Sequence, residues 1–561
     1  MVISRDVLQP RIIITTFLTF LLSIATSANA QQYPQTYFSS PLSIPLKASG
    51  NFAEIRANHF HSGQDIRTNE RTGYAVSAPA EGYVSRIKVQ AFGGGKNLYI
   101  THPNGYTTVY MHLECYGLEI ERYLKQYQYQ HQRYEVDINL NETQIKVKQG
   151  ETIGFSGNTG ASGGPHLHYE IRKTSSQQTI NPLHFSLPIE DNIAPYFVTL
   201  MVKGDNYVEV KKPYDTITAM GNELYFCIEG YDKSNGSTAR NGVYSTQIFV
   251  DDTLLYDCTI DRFLFDQTSY VNALIDYCCY IEKGKTMLMS KRLKRNWFPS
   301  VFYNNDGVLK GNTPRLYKVR CVLSDFFGNQ TDFLFYLDAH FHSYNERKDT
   351  TKYEIINCDR DYIYTFDDNS TITIRKGALY ENMSIPKQDK HAEERKYYIP
   401  ESKSVPLHKS VEVKLNSSQL PQRLKSKAVI TRNGTAIGGK QNGSFISTTS
   451  SSFGTFALAI DTIAPKIEPL NFNNNAKLKA NQANLQLKIT DNLSGLSTYN
   501  AYLNDQWVLL EYDGKTSTFT FDLNELFLYE PVTLNDGENL FRVEATDTRG
   551  NLNVRKFTII K

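Results

Sequence analysis

Two short stretches of this 561-residue chain hold residue types able to bind a metal and move protons: HFHSGQD at 59–65 and GGPHLHYE at 163–170, with YMHL at 110–113 between them. Together they offer His61, Asp65, His112, His166 and His168. GPHLHYEI (164–171) reads as a strand entered through a Gly-Pro turn. Alternate strand residues share a face, so His166 and His168 point one way, while Leu167 and Tyr169 point the other, into a core. His61 and Asp65 flank Ser-Gly-Gln, and Gly63 predicts a tight turn that brings both side chains toward one point. Catalytic zinc takes three ligands from His, Asp or Glu and keeps one position open for water. One such set is His61, Asp65 and one histidine of the pair. Each motif alone is more often a group of ordinary histidines; in order, within one segment and among glycines, they read as a site.

This pattern resembles the lysostaphin-type zinc endopeptidases, the LytM family, which cut the peptide part of bacterial peptidoglycan. The family carries a His-x-Gly-x-Asp loop, a Tyr-x-His-Leu strand and a Thr-Gly-x-Ser-Thr-Gly-Pro-His-Leu-His segment. Here they stand as HSGQD (61–65), YMHL (110–113) and TGASGGPHLH (159–168), over about the first third of the chain. The resemblance implies one zinc ion held by His61, Asp65 and His168, with His112 and His166 beside the open position. Gly163 stands where the family often has threonine, a departure that touches the turn and no ligand. By the same resemblance, zinc would acidify its bound water and polarise the scissile carbonyl. His166 is expected to be the general base, since imidazole titrates in the useful range. His112 would position the water or stabilise the oxyanion, and at this stage the two roles can be exchanged.

The elements that must position these residues read as short strands bounded by glycine: GYAVSAPAEGYVSRIKV, NLYITH, TTVYMHL and IKVKQGETIGFSGNTG. The family resemblance implies a compact antiparallel β domain. An insertion at 114–144 carries apolar or aromatic residues at 120, 123, 124 and 127, the spacing of a short helix on the groove rim, either a lid or a plain surface insertion. His59 is read as no ligand. His102 lies in a THPNGY hairpin turn and is expected to face solvent. Asn97 follows three glycines, which suit either close approach of a substrate backbone or an ordinary hairpin loop.

Beyond residue 190 the order of motifs repeats. DNIAP (191–195), DKSNG (232–236) and DFFGN (325–329) return as DTIAP (461–465), DNLSG (491–495) and DTRGN (547–551). Alternating strands and turns of this kind suit an immunoglobulin-like sandwich. The acidic turns are read as solvated and not as calcium sites. Between the copies, TITIRKGALYENMSIP and SVEVKLN read as strands, KQDKHAEERKYY as a charged connector, and Phe453, Phe456 and Leu458 as part of a closing hairpin. The expected fold class is mainly β: a LytM-like peptidase domain at 31–190, then β domains at 191–341, 342–460 and 461–561.

Arg5 and Arg11 precede the apolar run IIITTFLTFLLSIA and then Ala28-Asn29-Ala30, which reads as a signal peptide over 1–30. The run is shorter than the roughly 20 residues of a bilayer span, so an exported product in the periplasm or outside the cell is expected. The formal charge of +2 excludes a dedicated nucleic-acid binder. The 37 Tyr and 30 Phe suit strands. Seven cysteines form no zinc pattern, and one or two disulfides are expected among the five between 227 and 321. The leading expectation is an exported zinc endopeptidase acting on peptidoglycan cross-links, its β domains meeting envelope proteins. A catalytically inactive regulator of wall hydrolases and an envelope scaffold or adhesin are the alternatives. No glycine-bridge targeting module is recognisable, which favours a D-alanyl to diaminopimelate cross-link.

Overall fold

The alternating runs of the first third fold into an antiparallel sheet. Its strands are β1 (Ala48–Gly50), β2 (Gln64–Arg67), β3 (Gly82–Val89), β4 (Lys96–Thr101), β5 (Tyr106–Leu113), β6 (Val136–Asn139) and β7 (His166–Lys173). Their order across the sheet is β1-β2-β7-β5-β4-β3-β6. In this computed structural model the described residues are 33–342, 352–386, 396–399, 406–479, 481–524 and 534–561; the signal segment 1–30 lies outside them. Val84, Ile87, Ile100, Val109, Leu167 and Tyr169 are buried; Leu167 and Tyr169 follow the period-two pattern, while a bulge between Val84 and Arg86 shifts it in β3. Residues Gln35–Lys561 form one compact unit.

The 114–144 insertion supplies β6 and helix α1 (Leu118–His131), the helix longer than the spacing of its apolar residues predicts. Glu119 and Glu121 lie in its first turn, where carboxylates favour the helix dipole, and Glu121 also accepts from Tyr116 N at 2.9 Å. Ile120 and Leu124 are buried, but so are the polar Lys125 and Gln128. Lys125 reaches Glu511 at 2.7 Å, and Tyr129 meets Trp507 edge to face. The helix is thus a docking element for the last β domain.

His102 does not face solvent. It is 3% exposed, its Nδ1 lies 2.8 Å from Glu81 O, and its Nε2 lies 2.9 Å from Thr108 Oγ1. The Asn-Gly turn projects beyond it, while its own backbone pairs with Tyr106 O. The disulfides expected between 227 and 321 are also absent: all seven cysteines are free thiols.

The repeat is a duplication of topology. In the first copy, Thr216–Gly221 joins a sheet as a parallel edge beside Gln330–Phe341, followed by Arg315–Ser324 and Ser245–Val250. In the second, Ala476–Lys477 is parallel to Leu552–Ile560, followed by Glu538–Asp547 and Leu496–Leu503. Each copy adds a second sheet, begun by Tyr196–Lys203 or Lys466–Pro469, the strands that follow the two Asp-x-Ile-Ala-Pro motifs. Of the acidic turns expected to be solvated, the first is instead closed, with Asp232 2% exposed, while Asp491 of the second is half-buried; Asp325, Asp461 and Asp547 of the neighbouring motifs are each 3% exposed or less.

The intervening segment has its own core, which includes Phe453 and Phe456. Phe445–Ser450 and Phe456–Ile460 are not a hairpin, because they belong to different sheets. Of the charged connector, 387–395 lies outside the described residues. Its end, Lys396–Tyr397, is a strand whose tyrosine is 1% exposed against that core.

Candidate metal centre

Strand register brings the ligand candidates together. In the β2–β7 pair, His168 lies directly opposite Asp65, and on its other side β7 pairs His168 with Met111, the neighbour of His112 on β5. Asp65 is therefore a strand residue and not the end of a tight turn. Gly63 is needed for a different reason than its turn: a Cβ there would lie 2.5 Å from Tyr169 O and 2.9 Å from His168 Nε2. Glycine lets the loop carrying His61 press against β7.

His61 Nε2 lies 3.0 Å from Asp65 Oδ1 and 2.9 Å from His168 Nδ1, and His168 Nδ1 lies 2.8 Å from Asp65 Oδ1. All three residues are buried and offer one ligand atom each to a common point. Their outer atoms are tied down. His61 Nδ1 is 2.7 Å from Asn51 O, and a carbonyl can only accept, so that nitrogen carries the proton and Nε2 presents a lone pair inward. His168 Nε2 is 2.9 Å from Glu170 Oε1, which leaves Nδ1 as its inward lone pair. Two lone pairs and a carboxylate oxygen facing one another at these distances call for a cation between them, so the set fits a divalent metal. The outer supports are themselves held. Glu170 is 0% exposed and accepts from Arg172 Nε at 2.5 Å and Ser62 Oγ at 2.5 Å, and Asp65 Oδ2 accepts from Arg56 Nη2 at 2.6 Å.

The proton affinities reflect this arrangement. Burial pulls His168 down, but its hydrogen bonds to Asp65 and Glu170 outweigh that and hold it at about 9, so without a cation Nδ1 carries a proton toward Asp65, and a bound metal would take that proton's place. Burial opposes charge on Glu170 too, yet Arg172 and His168 bring it down to about 2. His61 is lowered by burial. His112 falls to about 3, through burial and then the neighbouring His168 and His166.

His112 and His166 sit side by side, their ring centroids 4.9 Å apart. His112 Nδ1 is 2.8 Å from Thr159 O, and His166 Nδ1 is 2.8 Å from Gly164 O. Both therefore turn Nε2 inward. His166 Nε2 is buried without a hydrogen-bond partner, 3.4 Å from Asp65 Oδ1. His59 is exposed with Nδ1 on Ala57 O, away from this group. The glycine loop before Asn97 makes its close approach to the chain itself: a Cβ at Gly95 would meet Thr159 and Gly160 within 2.6 Å. Asn97 is buried and donates to Lys88 O and Gly95 O. The sequence reading missed Asn51, Arg56, Thr159 and Glu170. Only Glu170 had a signal, since it lies two residues beyond His168 on the same strand face.

Residues 59–129 and 121–182 match the model of peptidase family M23, and residues 353–461 match a Zu5-like domain. An uncharacterized metalloprotease of Haemophilus influenzae is 37% identical over 128 residues, 23% of this chain and 21% of the relative. The DD-carboxypeptidase/endopeptidase Mpg of Neisseria meningitidis is 34% identical over 128 residues, 23% of each chain. The peptidoglycan DD-endopeptidase ShyC of Vibrio cholerae is 31% identical over 166 residues, 28% of this chain and 32% of the relative. The chain thus spans between a fifth and a third of the length of these relatives. The catalytic domain of lysostaphin from Staphylococcus simulans is 24% identical, with 25% of this chain and 91% of that chain covered at a TM-score of 0.19.

Proposed function

Residues 59–182 are a peptidase family M23 domain, and on that premise we propose that they hydrolyse the peptide cross-links of bacterial peptidoglycan as a zinc-dependent endopeptidase. The observation that carries this reading is the convergence of His61 Nε2, His168 Nδ1 and Asp65 Oδ1 within 3.0 Å, with both imidazoles locked in the tautomer a metal requires. His61, Asp65 and His168 would hold zinc, which supplies Lewis acidity and a water acidified toward neutrality. His166 accepts the proton at Nε2, and the imidazolium so formed is stabilised by Asp65 Oδ1 at 3.4 Å. His112 stays neutral and has no proton on Nε2, so it orients water as an acceptor and does not donate to an oxyanion. One relative is named a peptidoglycan DD-endopeptidase and another a DD-carboxypeptidase/endopeptidase, which supports a cross-link between D-centres as the bond cut. In this reading 31–190 is the exported peptidase segment, and the β modules at 191–341, 342–460 and 461–561 frame it. Among the described residues no helix is long and apolar enough to cross a membrane.

Mass spectrometry of muropeptides released from peptidoglycan by the purified chain tests this directly. Cross-linked dimers are expected to fall to monomers with zinc, to persist with a chelator, and to fall again when zinc is restored. Dimers untouched by the zinc-loaded chain would overturn the reading. His166→Ala is expected to keep its zinc and lose activity by about 10²–10⁴-fold, the range of general acid–base contributions.

A further inference from the structure

Asp191, Asp232 and Asp325 come from three turns far apart in the sequence, yet their carboxylate oxygens lie within 4.8 Å of one another. Two of the three are satisfied by local bonds. Asp325 accepts from Asn329 N at 2.8 Å and Asn329 Nδ2 at 2.6 Å, and Asp191 Oδ1 accepts from Ile193 N at 3.0 Å. Asp232 also hydrogen-bonds to the Lys233 backbone and the Asn51 side chain, yet it is 2% exposed and its Oδ1 is buried with no hydrogen-bond partner. Ser234 Oγ, two residues on, is buried and unpartnered as well. These groups line a cavity of about 20 Å³, shared with Asn51 and Gln64 of the peptidase segment, whose described lining contains no lysine or arginine. That volume suits a single ion or water. Gln64 Oε1 is a third buried oxygen without a partner.

We propose that this cavity is a calcium site, ligated by Asp191, Asp232 and Asp325, that fixes the first β module to the peptidase segment. The donors are all oxygens, the ligand type of a hard cation, with no imidazole or thiolate to select zinc. Two carboxylates sealed from water beside a third that is partly buried, without a counter-ion, are costly. In the absence of a cation, burial and then Asp191 raise Asp232 to about 8. The second copy builds the same arrangement from Asp461, Asp491 and Asp547, with Asn551 on Asp547 as Asn329 is on Asp325. There Asp491 Oδ1 and Ser494 Oγ are likewise buried without partners, but Asp491 is only half-buried and its Oδ2 accepts from Leu493 and Gly495; the proposal concerns the first triad, which lines the cavity. The first site also touches the metal centre through two short links. Gln64 precedes Asp65 and donates to Asn51 Oδ1 at 3.2 Å, and Asn51 O receives the His61 Nδ1 proton. A cation here would stiffen the segments that aim two zinc ligands.

The test is calcium binding by the full chain, stripped with a chelator and reloaded with zinc. Bound calcium is counted by native mass spectrometry, and the unfolding temperature is followed in calcium or magnesium. The wild type is expected to take up calcium and unfold at a higher temperature in it. Asp232→Asn is expected to bind one equivalent fewer, while Asp491→Asn keeps that equivalent. A wild type that binds no calcium at millimolar concentration overturns the proposal, as does a gain in unfolding temperature from magnesium alone. So does an Asp232→Asn chain that binds as many equivalents as the wild type. If Asp232→Asn does not fold, Asp191→Asn, at a more exposed position, is read in its place by the same count.

Discussion

His112 carries its imidazole on a backbone turned to φ 62°, the left-handed region, at the end of a β-strand. A non-glycine residue there costs of order 1–3 kcal/mol and persists only when its surroundings hold it. They do: His112 N donates to Gly94 O, and its ring is fixed on Thr159 O. His112→Gly should therefore fold more stably than His112→Ala by about 1 kcal/mol, although both lose the same imidazole. Urea titration of the two variants checks the difference, and equal midpoints would remove the strain argument. The imidazole of His168 depends on Glu170 for its orientation, so Glu170→Ala should lower zinc affinity by about 10–100-fold, measured by chelator competition. Unchanged affinity would mean that packing alone aims the ring.

At the scale of elements, β2 and β7 place Asp65, His166 and His168 by register, because a slip of one residue would turn these side chains to the opposite face, whereas His112 follows Met111, the residue paired with His168, and departs from strand alternation through its left-handed backbone. The hairpin between β4 and β5 is held from inside by His102, neutral between Glu81 O and Thr108. Burial lowers its pKa from 6.5 to about 4. Between those values the unfolded chain binds a proton that the folded chain does not, so stability falls as pH drops from about 6.5 to about 4 and levels off below. From pH 7 to pH 5 this one group should cost about 2 kcal/mol. Denaturant unfolding of His102→Gln at the two pH values should show a smaller acid loss than the wild type; an identical loss would place the acid sensitivity elsewhere.

Over the whole molecule, the last β module closes against the peptidase segment. Glu511 bridges Lys96 at 3.0 Å and Lys125 at 2.7 Å, both lysines being nearly buried, and it stays ionised against the cost of burial because of them. Tyr512 meets Phe92 edge to face, and Lys515 Nζ donates to the backbone carbonyl of Asn158, beside the Thr159 that orients His112. Glu511→Ala removes the carboxylate shared by two buried ammonium groups and is expected to destabilise the chain by about 3 kcal/mol. A lowered unfolding midpoint checks this. The double change Lys96→Met with Lys125→Met, which removes the charges together with their need for a partner, should cost less.

The pairs that the structure brings together were legible in the sequence because each spacing is local, and the order of the motifs and the family resemblance joined them. An i,i+2 pair on a strand shares a face, and His61 and Asp65 lie four residues apart, so His61, Asp65, His166 and His168 could be read as one set with His112 beside them. Mainly β structure was legible for the same reason, since period-two patterning is a property of neighbours. The environment of His102, the docking role of α1, the crossing of Phe456–Ile460 into another sheet and the supports at Asn51, Arg56 and Thr159 depend on segments distant in the chain, and no local pattern encodes them. The acidic turns mark that boundary most clearly. Their order and their repetition stand in the sequence, but burial and convergence decide whether an aspartate is a solvated turn residue or part of a closed triad, and only the tertiary structure brings residues 191, 232 and 325 within one ion's reach.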